Sequence, residues 1–115
     1  MRIERELMRG AGPVAVLQLL ERREMYGYEL VQALSRQTEG VLAMGQSTLY
    51  PLLYNLESKA LVRSKWKEGA SGRQRKYYAL TRKGAARLRA YRRQWRGLLN
   101  AMEGIRLFES DTLGN

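Results

Sequence analysis

The spacing of apolar side chains changes twice along this chain, and those changes confine it to few architectures. Up to residue 58 the apolar positions recur with a helical period: Leu49, Leu52, Leu53 and Leu56 fall at i, i+3, i+4 and i+7, one stripe down one helix. Between residues 61 and 80 the period drops to two. Val62, Ser64 and Trp66 alternate with Arg63, Lys65 and Lys67. Residues 68–72 form a turn-rich tip, and residues 73–80 make a second strand around the β-favouring pair Tyr77-Tyr78. Thr81 then suits an N-cap, and Leu88, Tyr91, Trp95, Leu98, Met102 and Ile105 follow at steps of 3, 4, 3, 4 and 3, a heptad seam. A helix with such a seam and an otherwise charged surface pairs with another helix.

The segments before the stripe are also helical. Residues 2–9 read as a short charged helix, with Ile3 and Leu7 four apart, broken by Gly10-Ala11-Gly12-Pro13. Pro13 then suits the first turn of a new helix, where its missing N–H removes nothing. Val14, Val16, Leu17, Leu19 and Leu20 make that helix apolar on nearly every side, the buried centre of the fold. From Glu29 a helix runs with Leu30, Val31 and Leu34 inward and ends near Gly40. The striped helix begins at Gln46 or Ser47, and Pro51 is expected near its first turn. The fold expected is mainly α with a small β-hairpin: helix, helix-turn-helix, basic hairpin, the winged helix-turn-helix order, plus a long C-terminal dimerisation helix. The divisions are residues 1–80 (with residues 1–12 able to join the dimer interface), residues 81–110, and a flexible tail at residues 111–115.

Charge narrows the function. The net +10 is carried entirely by the second half, since residues 1–60 hold seven basic and seven acidic side chains. Between residues 61 and 96 thirteen Lys and Arg face the single acid Glu68, a field that attracts a polyanion. The absence of Cys and His excludes disulfides, zinc fingers and His-based catalysis. Glu57 and Glu103 have no partner at catalytic spacing, so no enzyme is expected, and no cofactor is implied. The first ten residues lack the apolar region of a secretory signal, and the longest apolar stretch, residues 13–20, is too short for a bilayer. A soluble cytoplasmic protein with no membrane partner is expected.

Several motifs occur together in order. They are Met25-Tyr26-Gly27-Tyr28-Glu29-Leu30, Ser47-Thr48-Leu49-Tyr50-Pro51-Leu52-Leu53 and Leu56-Glu57, then Gly72-Arg73, Lys76-Tyr77-Tyr78, Leu80-Thr81 and Lys83-Gly84. Across roughly residues 10–95 the chain resembles the PadR family of bacterial transcriptional regulators, and its single long C-terminal helix is similar to the family's short type. It departs from the common pattern at Gln46 and Gln74 without losing a needed backbone conformation or charge.

The resemblance makes the striped helix a recognition helix. Its non-leucine face carries Ser47, Thr48, Tyr50, Tyr54 and Asn55, where a bland solvated face would carry Glu and Lys. Asn55 suits adenine readout and Tyr50 a phosphate. Tyr26 and Tyr28 flank a glycine at a helix start and can either contact phosphate or pack. The wing tip offers Gly72, Arg73, Arg75 and Lys76. Trp66 reads as a core or wing-base residue rather than a contact, and Tyr78 is the tyrosine expected to be buried. Leu88, Tyr91, Trp95, Leu98, Met102 and Ile105 are the expected dimer interface. In multidrug-binding members of the short type a tryptophan at the position of Trp95 lines a pore between subunits and stacks on flat aromatic ligands; dimer packing is the other reading of Trp95. The function implied is a homodimeric repressor of a pseudo-palindromic double-stranded DNA operator, released by a planar aromatic small molecule. The alternative is a winged-helix RNA-binding or scaffold module without operator specificity.

Overall fold

A computed structural model describes residues 1–109. Its elements run α1 (Arg5–Arg22), β1 (Met25–Tyr26), α2 (Gly27–Gln37), α3 (Gln46–Ser58), β2 (Val62–Glu68), β3 (Gln74–Leu80) and α4 (Arg82–Gly104). The strands form one antiparallel sheet in the order β1-β3-β2, with Val62 opposite Leu80, Trp66 opposite Lys76 and Met25 opposite Tyr78. The expected hairpin therefore carries a third, two-residue strand, too short to show a period. The tail expected at residues 111–115 lies outside the described residues.

The core is built from the two kinds of face that the periods implied. Val16, Leu17, Leu19 and Leu20 of α1, Leu30 and Leu34 of α2, and Leu49, Leu53 and Leu56 of α3 are buried together with Leu61, Val62, Tyr78 and Leu88. No polar or charged side chain among the described residues is buried there. Tyr78 rather than Tyr77 is the buried tyrosine.

Three expectations are corrected. Residues 10–13 do not break the first helix: α1 runs through Pro13 for 18 residues. A Cβ on the buried Gly12 would lie 3.1 Å from Leu52 Cδ1, so the glycine lets α1 and α3 approach closely. That packing offsets the hydrogen bond that Pro13 cannot donate to the exposed Arg9. Pro51 sits one turn further into α3 than expected, and the carbonyl it leaves unpaired belongs to the exposed Ser47. Leu88, placed by its heptad position in a dimer seam, is fully buried in the chain's own core, and Tyr91 packs half-buried against that core. Ile105 is the C-cap of α4 and lies just beyond its helical residues.

One junction ties α3, β2 and α4 together. Thr81 caps α4 by accepting the Gly84 N–H at 2.9 Å, and its hydroxyl reaches the Ala60 and Leu61 carbonyls at 2.7 and 3.1 Å. Gly84 passes so close that a Cβ there would stand 2.0 Å from the Leu61 carbonyl oxygen. Further along, Arg92 clasps α1 by donating to Gln18 Oε1 at 2.6 Å and Glu21 Oε1 at 2.7 Å. That arginine holds the Glu21 carboxyl below its usual pKa range. Beyond Arg92, every α4 residue except Met102 is exposed.

Candidate nucleic-acid interface

Helix α3 turns Leu49, Leu53 and Leu56 into the core, and the 3.6-residue period leaves Ser47, Thr48, Tyr50, Tyr54 and Asn55 exposed. Tyr54 is 75% exposed, far more than a tyrosine needs to wet its hydroxyl alone. The helix is held against the sheet from behind: Ser64 Oγ of β2 donates to Glu57 Oε2 at 2.6 Å. Tyr50 is fixed from the other side. Its hydroxyl lies over Gly27 at the start of α2, where a Cβ would stand 2.4 Å from the oxygen. The glycine between Tyr26 and Tyr28 is thus the one residue that admits Tyr50.

The two tyrosines flanking Gly27 part company. Tyr26 is half-buried in β1, edge-on to Tyr77 with ring centroids 5.4 Å apart, and the Arg75 guanidinium lies 4.4 Å from its ring centroid. Tyr28 is exposed, and its hydroxyl accepts a bond from Gln32 Nε2 at 2.8 Å. Packing and exposure, the two readings open for this pair, are divided between its members.

Strand alternation also divides the wing cations. Lys76 shares a sheet face with Val62, Ser64, Trp66 and Tyr78, whereas Arg75 lies on the opposite face with Lys65, Lys67 and Tyr77. On that opposite face Lys67 is paired with Glu24 and lies 4.6 Å from the Tyr77 ring centroid. The pairing holds the Glu24 carboxyl below its usual range and raises the Lys67 ammonium. Gly72 and Arg73 close the exposed tip, where Gly72 has φ +83° and the Gly69 N–H donates to the Arg73 carbonyl at 2.8 Å.

The structure gathers Tyr26, Tyr28, Tyr50, Arg75 and Lys76 around one open cleft of about 400 Å³, completed by Gly27, Gln46 and Trp66. Thr48 lies apart, beside a groove lined by Arg2, Ile3 and Arg5 of the N-terminal segment. Trp66 departs from the expectation of a core or wing-base residue. It is 65% exposed and lines the cleft instead of filling the wing base. Alternation put it correctly on the helix-facing side of β2, but gave no sign that the core ends at Val62, two side chains earlier on that face. The cations of the cleft stand among tyrosines and a tryptophan, a surface able to hold phosphates and stack on sugars or bases.

The chain matches the family model described as transcriptional regulator PadR-like family over residues 16–90. It is similar to the crystal structure of a PadR family transcriptional regulator from Eggerthella lenta, at 38% identity and a TM-score of 0.76 over 87% of this chain and 85% of that one. It is similar, too, to a Streptococcus transcriptional regulator, at 35% identity and a TM-score of 0.79 over 89% and 98% of the two chains. The transcriptional regulator YqjI of Escherichia coli is 32% identical over 81 residues, which cover 70% of this chain and 37% of that relative.

Proposed function

The chain belongs to the transcriptional regulator PadR-like family, and on that premise we propose that it is a homodimeric, sequence-specific repressor released by a planar aromatic ligand. It is a DNA-binding regulator with a winged helix, and not an enzyme. The observation that carries the finer reading is the uncharged exposed face of α3, from Ser47 to Asn55, beside a basic wing. Charge on residues 61–96 attracts the DNA backbone with little regard to sequence, while hydroxyl and amide groups on α3 discriminate bases. Asn55 reads adenine and Tyr50 holds a phosphate.

A second copy is supported by the outer part of α4. Trp95, Leu98, Leu99 and Ile105 stand exposed on one short stretch, an apolar surface that a solitary chain rarely leaves wet. The seam of the pair is Trp95, Leu98, Met102 and Ile105, because Leu88 and Tyr91 pack within the chain. Two recognition helices then enter successive major grooves about 34–36 Å apart, on a pseudo-palindromic operator. A ligand stacked at Trp95 changes that separation and releases the DNA.

Footprinting upstream of the protein's own gene tests the reading. Protection of an inverted repeat is the expected result, and protection of a single unsymmetrical site overturns the dimeric repressor. Planar cationic dyes should quench Trp95 emission, read as the difference between the wild type and Trp95→Leu; no difference at saturation removes the ligand.

No helix among the described residues is long and apolar enough to cross a membrane.

A further inference from the structure

We propose that the cleft between the wing and the start of α3 is a seat for the DNA sugar-phosphate backbone, in which the Trp66 indole lies against a deoxyribose and the Lys76 ammonium meets the adjoining phosphate. The inference rests on the DNA-binding reading and adds a site to it.

Four observations carry it. Trp66 is 65% exposed, although Val62 and Ser64 before it on the same face of β2 are buried and half-buried, so a large apolar ring is left in water with no covering element among the described residues. Its cross-strand partner is Lys76, and alternation aims both toward the recognition-helix side of the sheet. Lys76 and Arg75 make no ion pair among the described residues, and no acid lines the cleft. The walls are also fixed: Glu57 holds β2 against α3 through Ser64, and Gly27 seats the Tyr50 ring.

A flat apolar face beside unpaired cations and phenol hydroxyls complements a chain of alternating sugars and phosphates. A phosphate alone would need only the cations, and a base alone would not need them. The indole contributes by contact area, which salt does not screen, whereas the lysine contributes by releasing counterions. Trp66 therefore supplies a part of the affinity that survives at high ionic strength.

The test uses the whole protein with a mixed-sequence DNA duplex, since backbone contacts do not need the operator. The two tryptophans give two indole N–H resonances, and a Trp66→Phe spectrum assigns them. Adding the duplex should shift the Trp66 resonance. Trp66→Ala should weaken binding roughly tenfold at every salt concentration, with an unchanged slope of log K against log salt. Lys76→Gln should instead lower that slope by about one, and Trp66→Phe should keep most of the affinity. Thermal unfolding checks that Trp66→Ala still folds. An unshifted Trp66 resonance with wild-type affinity in Trp66→Ala overturns this seat while leaving DNA binding intact. A wild-type chain that binds no duplex overturns both.

Discussion

Ala60 follows α3 with a φ of +63°, in the left-handed region that glycine favours. The Leu61 N–H returns to the Leu56 carbonyl at 3.0 Å and the Ala60 N–H to Glu57 at 2.9 Å, so the helix end is satisfied at the cost of a strained residue. Ala60→Gly should stabilise the protein by about 1 kcal/mol, read from urea unfolding. Gly84, a few ångströms away, should respond in the opposite sense. A Cβ there meets backbone that cannot rotate aside, and Gly84→Ala should cost about 3 kcal/mol. Tyr78 adds a pH signature. Burial raises its phenol above the usual tyrosine range, so the unfolded chain ionises first. Its contribution is complete below about pH 10 and is lost as the pH rises further. Tyr78→Phe should flatten the alkaline limb of a stability-pH curve, and an unaltered limb would assign it to another group.

At the scale of elements, the wing separates into cations with different work. Arg73 at the tip is exposed and makes no ion pair among the described residues, while Lys67 is tied to Glu24. Arg73→Gln should lower the salt slope of DNA binding by about one and leave stability within about 0.5 kcal/mol of wild type. Elements of this kind were legible in the sequence because their faces are regular. The leucine stripe located α3, the alternation located the hairpin, and Thr81 located the start of α4. Breaks were harder to read. Gly12 and Pro13 are helix breakers by propensity, yet tertiary packing against Leu52 keeps α1 whole. Periodicity also reports which way a residue faces and not how far the core extends. For that reason the exposed face of α3 was read correctly, while Trp66 and Leu88 were not: one lies beyond the core's edge and the other inside it.

The molecule, over its described residues, measures 56 × 28 × 21 Å, long in one direction. The outer part of α4 places its apolar residues away from the core, where only another surface can cover them. Leu98→Glu should leave the fold intact, because Leu98 is 46% exposed. It should yield a monomer in analytical ultracentrifugation and weaken operator binding at least tenfold, by reducing two linked half-site contacts to one. A variant that remains dimeric would place the subunit contact elsewhere.

The Arg92 clasp has a mechanical consequence. It divides α4 into an inner arm of about 15 Å and an outer arm of about 18 Å, at the usual rise per residue. The inner arm is seated in the core by Leu88, whereas beyond the clasp only Met102 of α4 is part-buried. A sideways load on the outer arm is therefore borne by the clasp and by the Thr81 end. There is no slack to absorb it at that end, where Gly84 already lies against the Leu61 carbonyl and Thr81 grips the Ala60 and Leu61 carbonyls just after α3.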